Sequence, residues 1–384
     1  MDIWTHMRAE LAALEHNQLR RHSLVVDSPA DAYITVAGSR MVCLCSNNYL
    51  GLANHPEVIA ASQEALARWG MGTGASRLVS GTTALHVELQ HALAQFKGVP
   101  SALVTSTGWQ ANFCAIMALA GEGDLILSDK LNHASIIDAA MASRATFRTY
   151  LHRDIDRLED LLKRLRPSHR RCIIVTDGLF SMDGDLAPLA ELVEIKNRYD
   201  AVLVVDEAHA TGVLGENGRG AAEATGTEQG VDVTIGTLSK ALGSLGGFVA
   251  GPAVLTEMIQ NIGRPFIYTT ALPAACCAAA LAALKLVQHE PARREILLGN
   301  AERLRNALKA AGLQTGPSTT QIVPIMLDMP SHALELSRRC QEAGFFVPAI
   351  RPPTVPPGSS RLRVSVMATH DWKDLQRFVD VVRG

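Results

Sequence analysis

The chain has 384 residues, of which 47% are hydrophobic and 19% are charged. This composition excludes disordered and fibrous classes, and the length suffices for a large core in two or three domain-sized units. The 36 basic and 38 acidic residues leave a net charge of −2, and no dense basic tract occurs. We therefore predict neither a nucleic-acid partner nor a membrane partner.

Three further features indicate a cytoplasmic protein. Charged residues interrupt the N-terminus, which lacks the apolar stretch of a secretory signal. The most apolar run, residues 271–284, is Ala-rich and contains Pro273, so it predicts a core helix too short to span a bilayer. The 7 cysteines are scattered without zinc or CxxC spacing, which is typical of reduced core residues.

The N-terminal pattern predicts an amphipathic helix over residues 1 to about 25, followed by short strands near 33–36 and 41–45. We assign residues 1–45 to this region. From about residue 60 to 290, apolar β-type runs alternate with helical patterns, which predicts a mainly parallel sheet covered on both faces. These runs are 102–104, 125–127, 173–175, 202–205, 233–235 and 248–250. They predict a large α/β/α domain over residues 46–280.

The pattern changes after the Ala-rich segment. A long charged helix is predicted over about 293–311, and short strands follow near 322–326 and 361–366. Helices are predicted over 331–343 and 370–382. This C-terminal part, residues 281–384, is predicted to form a smaller α+β domain.

Ligands bind at the carboxyl ends of strands in such a sheet, so the residues that follow each run are candidate site residues. Gly108 and Trp109 begin a helix after the first run, where free backbone N–H groups could bind a phosphate. An ordinary helix cap explains the same residues. His133 and Ser181 follow the next two runs, and a structural histidine and a turn stabilised by Asp and Gly are the alternatives.

Three residues at later strand ends point to one cofactor. Asp206 follows the most apolar strand, where a carboxylate is costly without a cationic partner, and a protonated pyridine nitrogen is such a partner. His209 could reach a ring hydroxyl. Lys240 lies in a loop of small residues, which makes a solvated surface lysine the weaker interpretation. Together these groups suit pyridoxal 5′-phosphate.

The chain resembles the α-oxoamine synthase family of fold-type I pyridoxal phosphate enzymes over nearly its whole length. The matching stretches are residues 46–52, 72–82, 132–135, 180–185, 206–212 and 237–240. The resemblance implies an α/β, fold-type I PLP-dependent transferase, with a large mainly parallel-sheet α/β/α domain and a smaller C-terminal α+β domain. Residues 350–363 look most like the biotin-pathway branch of the family.

The resemblance also implies the cofactor contacts. Lys240 would bind the cofactor covalently, Asp206 would pair with the pyridine nitrogen, His209 would contact the ring hydroxyl, and His133 would stack on the ring. The remaining implied cofactor contacts are Gly108, Trp109, Ser181, Thr237 and, from the second subunit of a homodimer with shared active sites, Thr270. Two departures from the family pattern, Trp109 in an aromatic position usually held by Phe or Tyr and Ala75 in the glycine loop, could reshape the pocket.

For the substrates, the resemblance implies that Asn47 and Arg363 hold the amino-acid carboxylate, beside His133, and that Arg20 and Thr354 contact the acyl chain. The sequence itself supports part of this, because Arg361 and Arg363 would share one face of a strand, as a bidentate carboxylate clamp requires. An exposed strand edge protected by charge explains the two arginines equally well.

The implied reaction is a decarboxylative condensation of L-alanine with a pimeloyl thioester carried by coenzyme A or an acyl-carrier protein. Glycine with acetyl-CoA or succinyl-CoA would use nearly the same residues and stays open. A noncatalytic scaffold subunit is a different class, and it would be expected to lack Lys240. A phosphate-binding regulatory protein is a third class, and it predicts no coloured cofactor.

Overall fold

The computed structural model describes residues 2–21 and 23–384, which divide into two compact units. The large unit comprises Asn47–Ser181 and Asp185–Leu297. The small unit comprises Met1–Ser46, Met182–Gly184 and Leu298–Gly384. The N-terminal region thus belongs to the same unit as the C-terminal residues, whereas the sequence predicted a separate region over 1–45.

The strands are β1 (Tyr33–Val36), β2 (Ser39–Cys43), β3 (Ser101–Thr105), β4 (Leu125–Asp129), β5 (Thr146–Tyr150), β6 (Cys172–Asp177), β7 (Val202–Asp206), β8 (Val233–Thr237), β9 (Gly247–Gly251), β10 (Ile322–Asp328), β11 (Phe345–Phe346), β12 (Ala349–Ile350) and β13 (Ser360–Ser365). The helices are α1 (Ile3–His16), α2 (Pro56–Trp69), α3 (Ala84–Lys97), α4 (Gly108–Leu119), α5 (Ala134–Ala142), α6 (Ile155–Leu165), α7 (Leu189–Arg198), α8 (Ala221–Ala224), α9 (Ala253–Ile262), α10 (Arg264–Ile267), α11 (Ala274–His289), α12 (Pro291–Ala310), α13 (Pro330–Glu342) and α14 (Trp372–Arg383).

A seven-stranded sheet forms the centre of the large unit, in the order β3-β9-β8-β7-β6-β4-β5. Its strands are parallel except β9, which is antiparallel to both β3 and β8. Every residue of β4 and β6 is buried, as expected for strands covered on both faces. Side chains of α4, α5 and α9 pack against one face in a continuous apolar cluster. The predicted α/β fold with a mainly parallel sheet is confirmed.

The small unit contains two three-stranded sheets, β1-β2-β11 and β10-β13-β12. The central strand β13 pairs antiparallel with both neighbours, and all of its residues are buried. Arg361 and Arg363 therefore do not protect an exposed strand edge, and that alternative is wrong.

Two local predictions need correction. The N-terminal helix was predicted to reach about residue 25, but α1 ends at His16 and none of its described side chains is buried. Residues Met1 and His22 of the predicted helix lie outside the described part of the chain. Strand β5 was not predicted, because this edge strand is partly exposed and lacks a continuous apolar run. None of the helices within 2–21 and 23–384 combines the length and apolar character needed to cross a bilayer.

Glycine at position 236 of β8 is required by the ring of Phe248 on the neighbouring strand. A Cβ atom at Gly236 would overlap that ring, which is fully buried. We expect Gly236→Ala to lower the free energy of unfolding by about 1–3 kcal/mol, the usual cost of overpacking a core.

The matched control is Gly299→Ala in the exposed part of α12, where nothing lies within 4 Å of the added methyl group. This change should be neutral or stabilise by up to about 1 kcal/mol, since alanine is the better helix former. Thermal or urea unfolding measures both variants. Equal stability of the two variants would contradict the packing argument.

Candidate active site

A cavity of about 230 Å³ opens at the carboxyl ends of the central strands of the large unit. Its lining comes from the ends of β6, β7 and β8, from the loops that follow them, and from the first turns of α4 and α5. The lining residues are Thr107, Gly108, Trp109, Asn112, His133, Ser135, Asp177, Ser181, Asp206, Ala208, His209, Gly236, Thr237, Ser239 and Lys240. All predicted cofactor-binding residues except Thr270 thus lie around one cavity.

Asp206 ends β7 with only 5% of its surface exposed. Its Oδ2 accepts a hydrogen bond from Asn112 Nδ2 at 2.7 Å, and its Oδ1 accepts one from the Ala208 N–H at 2.8 Å. Asn112 also donates to the Ser135 hydroxyl at 2.9 Å. Asn112 was not predicted as a site residue, although a polar residue inside the apolar α4 was a usable signal.

A second buried carboxylate, Asp177, lies opposite Asp206 in the register of β6 and β7. One of its oxygens accepts the backbone N–H of His133 at 2.8 Å. Burial raises the pKa of Asp177 well above its ordinary value, and the charge of Asp206 raises it further. Because two adjacent buried carboxylates resist being ionised together, the negative charge is favoured on Asp206, which has two donors.

His133 and Trp109 form an aromatic wall of the cavity. His133 caps the N-terminus of α5, and its Nδ1 lies 2.7 Å from the Ser135 hydroxyl. The two rings meet edge to face with centroids 5.9 Å apart, and Trp109 stacks on Phe113. Burial lowers the pKa of His133, so its ring is favoured in the neutral form that suits stacking on another ring.

A chain of hydrogen bonds leads from Lys240 into the core. Lys240 Nζ lies 2.8 Å from His209 Nε2, and His209 Nδ1 lies 2.7 Å from the Tyr49 hydroxyl. That hydroxyl donates its one proton to Asn47 Oδ1 at 2.9 Å. His209 Nδ1 must therefore carry the proton that is donated to Tyr49, and Nε2 of the neutral ring is left as an acceptor facing Lys240.

The N-terminus of α4 forms the other end of the cavity. Thr107 caps this helix by accepting the Gln110 N–H at 3.1 Å. A Cβ at Gly108 would lie 3.4 Å from the Thr237 Cβ, so the small residue brings the helix start close to β8. Exposed N–H groups and the positive end of the helix dipole suit a phosphate group here.

These groups fit the parts of pyridoxal phosphate one by one. Asp206 provides a buried anion for a protonated pyridine nitrogen, and Lys240 provides an amine for the aldehyde carbon. A phosphate bound at the start of α4, near Gly108, would be stabilised by the positive end of the helix dipole. The donor set therefore agrees with the predicted cofactor.

The remaining predicted residue of the large unit with a cofactor role, Thr270, is exposed and does not line the cavity. Its backbone pairs with Ser76, and its carbonyl accepts the Ser106 hydroxyl at 3.2 Å. Its predicted contact is with the second subunit and stays a prediction.

The predicted substrate residues of the small unit have defined contacts of their own. Arg20 is exposed and pairs with Glu15 at 3.4 Å, whereas Thr354 accepts a hydrogen bond from Arg21 at 2.7 Å. Arg363 donates to the Ser365 hydroxyl at 3.0 Å. On the same face of β13, Arg361 Nη1 lies 2.5 Å from Asp183 Oδ1 in an ion pair. The hypothesis that Arg363 binds a substrate carboxylate stays a prediction.

Known proteins similar to the chain agree on one family. Residues 39–382 match the family described as aminotransferase class I and II. An 8-amino-7-oxononanoate synthase of Geobacter sulfurreducens is 50% identical over 372 residues, which cover 96% of this chain and 95% of that protein.

Solved structures extend this agreement to the fold and the cofactor. A serine palmitoyltransferase from S. paucimobilis, with a bound PLP–myriocin aldimine, is 34% identical with a TM-score of 0.94 and covers 100% of this chain and 98% of its own. An 8-amino-7-oxononanoate synthase from Francisella tularensis is 28% identical with a TM-score of 0.77 and covers 89% of this chain and 97% of its own.

The predicted fold type and the predicted cofactor are both confirmed by this agreement. The chain belongs to the class I and II aminotransferase family, as a pyridoxal-phosphate-dependent acyltransferase of the 8-amino-7-oxononanoate synthase group.

Proposed function

We propose that the chain condenses L-alanine with a pimeloyl thioester and releases carbon dioxide, the free thiol and 8-amino-7-oxononanoate, for biotin biosynthesis. The new bond joins the alanine Cα to the pimeloyl carbonyl carbon, the thiol leaves, and the alanine carboxyl group departs as carbon dioxide. The observation that carries this proposal is the convergence of Asp206 and Lys240 in one cavity, in a chain 50% identical to a synthase of that name.

Pyridoxal phosphate, when bound, supplies an electron-accepting ring that stabilises negative charge at the amino-acid Cα. Asp206 would hold the proton on the pyridine nitrogen, and His209 would contact the ring hydroxyl. His133 would cover one face of the ring and exclude water from it. Lys240 Nζ would bind the cofactor and take the proton from Cα, a role for which its contact with the His209 Nε2 acceptor is suitable.

The substrate contacts belong to the same proposal. Asn47 and Arg363 would bind the alanine carboxylate, and Arg20 and Thr354 would contact the acyl chain. The hydrogen bond from Arg21 to Thr354 supports a role for this part of the small unit, because it brings the residue after Arg20 to the Thr354 hydroxyl. Thr270 would reach the cofactor phosphate in the second subunit, so we propose a homodimer. We also propose that this homodimer is cytoplasmic.

A matrix of amino acids and thioesters tests the substrates. L-Alanine, glycine and L-serine are each combined with acetyl-CoA, succinyl-CoA, pimeloyl-CoA and a pimeloyl acyl-carrier protein, and the products are identified by mass. We expect the highest kcat/KM for L-alanine with a pimeloyl donor. Lys240→Ala provides the blank, because it removes the amine that would take the Cα proton.

Preference for glycine with a short acyl donor would overturn the substrate proposal and leave the cofactor unaffected. Full turnover by Lys240→Ala would overturn the role of Lys240.

The Tyr49 hydroxyl is predicted to set the tautomer of His209. Tyr49→Phe keeps the buried ring and removes the oxygen that contacts His209 Nδ1. Loss of a partner in a buried hydrogen bond costs about 1–3 kcal/mol, so we expect kcat to fall roughly tenfold to a hundredfold. The pH dependence of the bound cofactor's absorbance should shift as well, since His209 would no longer be held as a single tautomer.

Tyr150→Phe is the matched control, because Tyr150 is equally buried and its hydroxyl bonds to Thr176 instead. It should change neither kcat nor the absorbance titration by more than a small factor. Identical pH profiles in wild type and Tyr49→Phe would show that Tyr49 does not act through His209.

A further inference from the structure

A histidine outside the predicted site lies between two buried carboxylates of the large unit. His152, in the connection from β5 to α6, has its Nδ1 3.1 Å from both oxygens of Asp129. Its Nε2 lies 2.9 Å from Asp185 Oδ2. The side chains of Asp129 and Asp185 are each only 2% exposed. Both ring nitrogens of His152 therefore contact anionic groups that water barely reaches.

This geometry requires a cationic ring. An ionised carboxylate only accepts hydrogen bonds, so both nitrogens of His152 must carry protons to satisfy the two partners. Burial alone would lower the pKa of His152, but the hydrogen bonds and charges of Asp129 and Asp185 outweigh it and raise the pKa to about 9. His152 is therefore an imidazolium at neutral pH.

The first carboxylate orders the turn that leads to His133. Asp129 ends β4, and its Oδ1 accepts the N–H of Leu131 at 2.8 Å. Its Oδ2 accepts the Arg153 N–H at 2.8 Å. Asp129 thus accepts backbone hydrogen bonds from two different loops, one that contains Leu131 and one that contains Arg153. The loop that holds Leu131 continues directly to His133, at the wall of the cavity.

The second carboxylate lies at the base of the turn that carries Ser181. The Asp185 carbonyl accepts the Phe180 N–H at 3.0 Å. The Phe180 ring meets the His152 ring edge to face, with centroids 4.4 Å apart. The residue after Phe180 is Ser181, which lines the cavity.

We propose that His152 is a positioning residue: its cationic ring fixes the His133 turn and the Ser181 turn in the geometry that binds the cofactor. This inference rests on the proposed cofactor site and not on the choice of substrates. His152 does not line the cavity, so its proposed role is distinct from the roles of the lining residues.

Other charged groups nearby do not replace this ring. Arg153 Nη1 lies 3.3 Å from Asp185 Oδ2, but the Arg153 side chain is 45% exposed and its ion pair is screened by water. Burial raises the pKa of Asp177 and of Tyr150, and the charge of Asp129 raises the pKa of each further. Both therefore favour their neutral forms, which leaves the half-buried His152 as the cation between Asp129 and Asp185.

The raised pKa gives the proposal a direction in pH. A histidine whose pKa is higher in the folded protein makes its full contribution to stability at pH values below its ordinary pKa of 6.5. This contribution declines as the pH rises and is absent above about 9. Cofactor affinity should decline over the same range, since the turns that hold His133 and Ser181 lose their common cation.

The test compares His152→Gln with His169→Gln. His169 is the matched control because it is a partly buried histidine of the same unit whose Nδ1 contacts the carbonyl of Leu165 and not a carboxylate. Two quantities are measured from below pH 6.5 to above pH 9, the ordinary and the raised pKa of His152. They are the Kd for pyridoxal phosphate and the Tm of the cofactor-free protein.

We expect His152→Gln to weaken cofactor binding about tenfold at neutral pH, the loss that corresponds to one charge-assisted hydrogen bond. The decline of affinity and Tm toward high pH should disappear in this variant. His169→Gln should keep the wild-type affinity and pH profile. An unchanged Kd and an unchanged alkaline decline in His152→Gln would overturn the proposal.

A milder variant keeps the test valid if His152→Gln does not fold. Asp185→Asn preserves shape and removes one negative charge, so the pKa of His152, followed by NMR of histidine-labelled protein, should fall. Where both single variants fold, the double variant should bind the cofactor no more weakly than His152→Gln. Additive losses, or an unmoved His152 titration, would contradict action through Asp185. These readouts need no amino acid or thioester, so they are independent of the substrate matrix.

Discussion

The carboxylate of Asp206, held almost out of water at the end of β7, is the constraint on which the rest of the site depends. Burying an ion costs several kcal/mol unless partners compensate. Two donors, the Asn112 amide and the Ala208 N–H, supply part of that compensation. A cation in the cavity would supply the remainder, and a protonated pyridine nitrogen meets this need. The carboxylate at the end of the most apolar strand therefore needs a cationic partner, which the cofactor would provide.

The neighbouring ionisable groups are arranged so that they do not compete for Asp206. Burial and the charge of Asp206 raise the pKa of Asp177, and burial lowers the pKa of His133, so both favour their neutral forms. The Tyr49 hydroxyl fixes the proton of His209 on Nδ1, so that Nε2 accepts from Lys240. The imidazolium of His152 satisfies two more distant carboxylates. Each group thus has one favoured protonation state, as acid–base chemistry at neutral pH requires.

The strand-end residues could be predicted from the sequence because they depend on local patterns. An apolar run followed by Asp206 or by His133 identifies a buried strand and its carboxyl end, and parallel strands bring such ends together. Tyr49 and His152 could not be predicted as site residues in this way. Their partners are distant in sequence, as in the Tyr49–His209 contact across 160 positions, and no period in the chain encodes that pairing. The predicted N-terminal helix was too long for a related reason, because periodicity does not show where a helix lacks a surface to pack on.

The protonation state of the bound pyridine nitrogen tests the central claim most directly. Pyridoxal phosphate labelled with ¹⁵N at the ring is bound to the protein, and its chemical shift is measured at neutral pH. We predict a protonated nitrogen in the wild type and an unprotonated one in Asp206→Asn, which keeps the shape and removes the charge. An unprotonated nitrogen in the wild-type protein would contradict the account.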